Sequence, residues 1–223
     1  MAEQNDQTLS FTDRCVQFLT NHRKQIAITL TGICVVVAVA LIASFITTRN
    51  AKNASIETEA LITEWTDLRT KNDSDMTAKE DELVTKLEVC ARSNGHTYAA
   101  FRAYTTLGEI AVLRKDWEKA LTAYQKAAEV LPKNYTAGIA NFNAAVCADE
   151  LQQYEKALDL YTLSAASEDF PLKPRALFNV GRLEEQLSHP DKAVEAYTKL
   201  SELYPDNDWA LLGKSRIIAL DIR

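Results

Sequence analysis

Three times at near-equal spacing along this chain an alanine is followed four residues later by a tyrosine: Ala120 and Tyr124, Ala157 and Tyr161, Ala193 and Tyr197. The alanines stand 37 and 36 residues apart. A unit of that length folds by stacking on copies of itself, because one copy alone cannot bury its apolar face. Each unit needs a small residue where its two helices cross closely, since a larger side chain would push the backbones apart. The tyrosine lies on the same helical face one turn on, where it can pack against the next hairpin. Pro132 and Pro205 close two of the units, because proline cannot continue a helix and disfavours helical geometry before it.

The first unit carries the fullest pattern: Tyr104-x-x-Leu107-Gly108, then Trp117-Glu118-Lys119-Ala120, Tyr124, Ala127 and Pro132. It resembles the 34-residue tetratricopeptide (TPR) helical hairpin. Tyr154-Glu155-Lys156-Ala157 with Tyr161, and Pro190-Asp191-Lys192-Ala193 with Tyr197, repeat the second half of that pattern. The expected units are 101–134, 138–171 and 174–207 within a repeat region 100–207. The middle one is degenerate: Asn141, Ala144 and Ala145 replace the large, large and small residues of its first helix, and it ends Asp169-Phe170-Pro171. Residues 208–221 read as a further helix, with Trp209, Leu211, Leu212, Ile217, Ile218 and Leu220 at helical spacing, so 208–223 is expected to cap the open end of the stack. Upstream, 56–70 (Ile56, Leu61, Ile62, Trp65, Leu68) and 78–93 (Leu83, Val84, Leu87, Cys90) are also helical by period, with Asn72-Asp73-Ser74-Asp75 as loop and cap. An N-terminal hairpin over 56–99 without the repeat signature is expected, giving about nine helices in all.

From Ile26 to Ile46 there are 21 residues without a charge. At about 1.5 Å rise each they span roughly 31 Å, the thickness of a bilayer core. A cleaved signal peptide would have a shorter apolar run and a small-x-small site beyond it, and neither is found here. A lipidation site at Cys34 does not fit either, because Ile33 stands where a small residue is needed and the apolar run continues past the cysteine. The segment reads as an uncleaved signal anchor, with 1–25 a cytoplasmic tail and 47–55 a linker. Arg14, Arg23 and Lys24 precede the span whereas Arg49 and Lys52 follow it. The positive-inside bias therefore favours a cytoplasmic N-terminus and a repeat domain outside the cytoplasm. The fold class expected is all-α: a single N-terminal transmembrane helix followed by an α-solenoid of TPR hairpins.

The whole chain has a formal net charge of −6, and beyond residue 49 it keeps 21 basic residues against 28 acidic. A nucleic-acid scaffold would need a basic stripe, and a domain lying on an anionic membrane would not be acidic. The three histidines, His22, His96 and His189, have no cysteine or carboxylate at metal-ligand spacing, and no phosphate-binding glycine loop or nucleophile elbow is present. Carboxylate clusters such as Glu80-Asp81-Glu82 read as solvated helix faces. No enzyme activity, cofactor, metal or small-molecule substrate is expected. Of the four cysteines only Cys90 and Cys147 belong to the domain, and they read as small buried hydrophobes in preference to a disulfide.

In TPR stacks the concave groove is lined by positions 2, 5, 9 and 12 of each first helix. The resemblance places there Arg102, Thr105, Glu109 and Val112; then Ile139, Phe142, Val146 and Asp149; then Arg175, Phe178, Arg182 and Glu185. Such a groove suits an extended or helical segment of another protein. The Lys/Asn clamp by which some TPR co-chaperones hold an acidic tail is absent, since position 5 is Thr or Phe. Two roles are open for Phe142 and Phe178: an apolar floor for a ligand, or packing on neighbouring helices, including the terminal one.

A short tail ending Asn21-His22-Arg23-Lys24, one span, a helical stretch and TPR units to the C-terminus resembles the bacterial ancillary SecYEG translocon subunit family. That resemblance implies a single-pass inner-membrane protein whose periplasmic TPR domain connects the Sec translocon with periplasmic chaperones or secreted clients. The span lacks the Gly and Trp residues associated with that family's membrane segment. An alternative is a fixed structural subunit of a division, cell-wall or transport complex. The sequons Asn53-Ala54-Ser55, Asn72-Asp73-Ser74 and Asn134-Tyr135-Thr136 keep a eukaryotic type II membrane protein open as a third reading.

Overall fold

A computed structural model describes residues 11–71 and 76–221, all of the regular structure being helical. The expected loop Asn72–Asp75, the first ten residues of the tail and the last two of the cap lie outside the described residues. Among the described residues ten helices follow in order: α1 (Phe11–Asn21), α2 (Arg23–Lys71), α3 (Met76–Ser93), α4 (Tyr98–Leu113), α5 (Trp117–Val130), α6 (Tyr135–Glu150), α7 (Tyr154–Ala166), α8 (Lys173–Gln186), α9 (Pro190–Leu203) and α10 (Asp208–Asp221). They fall into two units, residues 1–50 and 51–223.

The first unit holds α1 and the apolar stretch of α2. Among the described residues one helix is long and apolar enough to cross a membrane, and none of its apolar window is buried. In the second unit each helix from α3 to α10 packs on the next along the chain. Residues 47–55, expected as a linker, are helical instead. No Pro or Gly interrupts them, so nothing in the backbone stops the helix there. Ala54 and Thr58 are buried, and Thr58 Oγ1 lies 2.8 Å from the Sγ of buried Cys90 in α3. Trp65 Nε1 donates to Glu80 Oε1 at 2.9 Å, and Trp65, Leu68, Leu83, Leu87, Ala103 and Ile110 make one cluster across α2, α3 and α4. The C-terminal part of α2 and α3 therefore share a core with α4.

Three identical turns join the two helices of each repeat. Lys115, Gln152 and Ser188 take left-handed φ values of 57, 58 and 63°. The following residue's N–H reaches back five positions in each case: Asp116 to Ala111 O at 2.9 Å, Gln153 to Ala148 O at 2.8 Å, His189 to Glu184 O at 2.8 Å. This pairing satisfies carbonyls that the helix end would leave orphaned. Thr97, Asp116 and Asn134 cap the N-termini of α4, α5 and α6, and Pro174 and Pro190 stand in the first turns of α8 and α9.

The alanine and tyrosine of each repeat have distinct jobs. Ala120, Ala157 and Ala193 are fully buried where the paired helices meet. Each flanking tyrosine first closes on its own hairpin and not only on the next, as the spacing alone suggested: the ring of Tyr124 lies over Gly108 and that of Tyr197 over Gly181. Ala145 takes the equivalent place in the middle repeat, and Tyr161 there meets Phe142 edge-on, with ring centres 5.2 Å apart. Cys147 is buried in the same core, and burial pushes its thiol up to about 12, with Glu150 adding to the rise. Cys90 and Cys147 are both free.

Candidate protein-binding face

The first helices α4, α6 and α8 carry the twelve candidate residues at positions three or four apart, which puts each set on one side of its helix. Their burial divides them. Thr105 and Phe142 are buried; Arg102, Val112, Ile139, Val146, Asp149, Phe178, Arg182 and Glu185 are half-buried; Glu109 and Arg175 are exposed. Thr105 turns inward and donates to the carbonyls of Phe101 and Arg102 at 3.0 and 2.9 Å.

Phe142 is core. It packs against Tyr161 and, at 5.7 Å between ring centres, Phe170, with the Arg175 guanidinium 5.2 Å above it. Phe178 is held between Tyr197 at 5.5 Å and Trp209 of α10 at 5.2 Å, so the terminal helix covers much of it. Arg175 also lies 5.5 Å from the Trp209 ring. Of the two roles open for the phenylalanines, packing accounts for Phe142 fully and for Phe178 in large part.

Most charges on this face are taken up inside the molecule. Arg102 grips Glu59 of α2 through two bonds, Nε to Oε1 at 2.7 Å and Nη2 to Oε2 at 3.1 Å. This bonding holds the Glu59 carboxyl below its ordinary value and raises the arginine. Arg182 of α8 pairs with Asp149 of α6. Arg216 of α10 pairs with Glu185 of α8, which also accepts from Tyr197 Oη at 2.7 Å. Desolvation, with that bond to Glu185, pushes the Tyr197 hydroxyl well above its ordinary range. Arginine–carboxylate pairs thus tie α2 to α4, α6 to α8 and α8 to α10. Among the described residues no ion pair joins α4 to α6. Partial desolvation raises the carboxyl of Glu109 on α4 above the ordinary value, against the pull of Arg102 and Arg69.

What remains open is an apolar strip of Val112 on α4 and Ile139 and Val146 on α6, each half-buried against the core, with exposed Glu109 on α4 and exposed Arg175 on α8. Glu59, Trp209 and Arg216 are the participants that repeat positions could not point to, because they sit on helices without the repeat signature. Their only forerunner was the expectation of flanking helices on either side of the repeats. A separate cleft of about 350 Å³ is lined by α3, α4 and α5, with Val84, Tyr104, Leu107 and Ile110 among its apolar walls and Lys126 at its margin. The histidines are engaged locally: His22 with Gln25, His96 with the Val130 carbonyl and His189 with Glu184. Among the described residues no three His, Cys, Asp or Glu side chains are grouped as a metal site requires.

Residues 174–207 match the family model described as Tetratricopeptide repeat. A TPR repeat-containing protein of Treponema pallidum (strain Nichols) is 40% identical over 226 residues, covering 94% of each chain. Among solved structures, a tetratricopeptide repeat protein from Parabacteroides merdae superposes with a TM-score of 0.57 at 25% identity, covering 74% of this chain and 60% of that one. A MamA RS-1 double mutant superposes with a TM-score of 0.50 at 16% identity, covering 74% and 94%.

Proposed function

The chain belongs to the tetratricopeptide repeat family, and from that premise we propose that it is a membrane-anchored scaffold which binds other proteins on the face of α4, α6 and α8. The observation that carries this reading is the half-buried strip Val112, Ile139 and Val146, packed against the core that holds Tyr124, Phe142 and Tyr161. An apolar strip with a charge on either side suits an amphipathic helix or extended segment, where apolar anchors give energy and rim charges give register. The exposed apolar stretch of α2 supports anchoring in a membrane, and the charge bias around it supports a periplasmic domain. On that placement, the scaffold acts in the cell envelope as an adaptor between the Sec translocon and periplasmic chaperones or secreted clients.

The test is photo-cross-linking in intact cells from single positions of the full-length protein, with adducts identified by mass spectrometry. Probes at positions 139 and 146 are expected to capture translocon subunits together with many exported proteins. One stoichiometric partner set at those positions would make the chain a fixed subunit of an envelope complex. Adducts from position 126 with none from 139 or 146 would move the binding surface to the α3–α5 cleft.

A further inference from the structure

Ahead of the apolar stretch, α1 has two unlike sides. At about 100° per residue, Phe18, Phe11, Cys15, Leu19, Thr12 and Val16 fall within an arc of about 160°, Thr12 being its one polar member, while Asp13, Gln17, Thr20, Asn21 and Arg14 fill the rest. No residue of α1 is buried: Phe11 is 79% exposed, Val16 62%, Phe18 59% and Leu19 54%. An apolar half-cylinder of this kind needs a covering phase.

We propose that α1 is an interfacial helix that beds its apolar side into the headgroup layer of the same leaflet from which the span enters the membrane. The inference rests on the reading of 26–46 as that span. Continuity argues for lipid as the occupant: only His22 to Gln25 separate the end of α1 from Ile26, so the stripe lies within reach of the bilayer surface. Charge argues the same way. Arg23 and Lys24 follow α1 directly, Arg14 flanks the apolar arc, and anionic headgroups attract basic residues at that depth. A second copy is the poorer occupant. An arc of about 160° is wider than the seam of paired helices, and eleven residues are too few for the three or four heptads that such pairing needs. His22 is the one described residue between Phe11 and Asn50 outside a helix, with its ring Nδ1 2.9 Å from Gln25 Oε1. Bedding α1 in the surface bends the chain at that turn, where the backbone bonds from His22 N to Phe18 O at 3.0 Å and from Ile26 N to His22 O at 2.9 Å now continue the helical ladder.

The native cysteines supply probes for the test. Cys15 stands in the middle of the apolar arc and Cys34 inside the apolar stretch, while Cys90 and Cys147 are buried and shielded from labelling. The full-length protein is reconstituted into phosphatidylethanolamine–phosphatidylglycerol vesicles carrying a nitroxide at one site. The sites are Cys15 in Cys34→Ala, position 17 in Cys15→Ala/Cys34→Ala/Gln17→Cys, and Cys34 in Cys15→Ala. Collision with oxygen relative to a water-soluble nickel chelate should be several-fold greater at Cys15 than at position 17, with Cys34 deepest of all. If Cys34 is deep while positions 15 and 17 are equally open to the chelate, the interfacial helix is wrong and the anchor stands. Spin–spin broadening between molecules at Cys15, without oxygen preference, makes a second copy the occupant and overturns the proposal. Free access of the chelate to Cys34 removes the span and this inference with it.

Discussion

Gly181 lies directly beneath the ring of Tyr197: a Cβ built at 181 would fall 2.5 Å from Cε1 of that ring. The ring has no room to retreat, because Tyr197 is fully buried. Gly108 stands in the same relation to Tyr124, with the nearest contact at 2.7 Å. Helix propensity alone would reward an alanine at either site by about 1 kcal/mol. The clash outweighs it. Gly181→Ala and Gly108→Ala should each lose about 1–3 kcal/mol in thermal or urea unfolding of the full-length protein. Gly213→Ala is the contrast, because its added Cβ meets Tyr197 Cδ1 at an ordinary 3.4 Å, and it should be neutral or gain up to about 1 kcal/mol.

The turns between paired helices predict stabilising changes. Gln152 and Ser188 hold left-handed backbones that cost a side-chain-bearing residue roughly 1–2 kcal/mol. Gln152→Gly and Ser188→Gly should each raise stability by about 0.5–1 kcal/mol, the gain being trimmed by the greater freedom of glycine in the unfolded chain. A loss at either position would show that the side chain itself holds the turn.

These turns also mark where reading from residues alone runs out. The spacing of Ala120, Ala157 and Ala193 and their tyrosines was visible in the sequence because it reflects a crossing that only small residues permit. Lys115, Gln152 and Ser188 carry no such mark, since glycine, the usual sign of a left-handed helix end, is missing from all three. The helical course of 47–55 was hidden for another reason: Asn50, Asn53 and Ser55 look loop-like, and Thr58 reveals its burial only through Cys90 of the neighbouring α3. On the candidate face, repeat register located the residues, but the partners that occupy Arg102 and Glu185 come from helices outside the repeats.

Phe142 and the open strip beside it should respond differently to substitution. Phe142→Ala removes a buried ring that touches Tyr161, Phe170 and Arg175, and should cost about 3–5 kcal/mol. Phe178→Ala should cost clearly less, since that ring is half-exposed. Ile139→Asn with Val146→Asn should abolish cross-linking from neighbouring positions while helical content, followed by circular dichroism, is retained. Loss of helicity equal to that of Phe142→Ala would assign the strip to the core.

Glu109 gives a pH signature. Desolvation raises its carboxyl, so the folded state binds its proton more readily than the unfolded chain does. Stability from this group therefore rises as pH falls through the raised value and levels off below the ordinary carboxylate range. Glu109→Gln should melt higher than the parent at pH 7, and the two should converge near pH 3, below the ordinary value of about 4.3. A Tm difference that is the same at both ends would exclude the carboxylate as its source.

Because every helix from α3 onward packs chiefly on its neighbours in sequence, the repeat domain does not need its C-terminus in order to begin folding. A chain threaded outward from an N-terminal anchor would expose 51–93 first, then each hairpin in turn, and each would find its docking surface already made. The step at α10 differs: until α10 emerges, Phe178 and Glu185 lack Trp209 and Arg216, so its arrival is what covers the side of α8 left bare by the repeats.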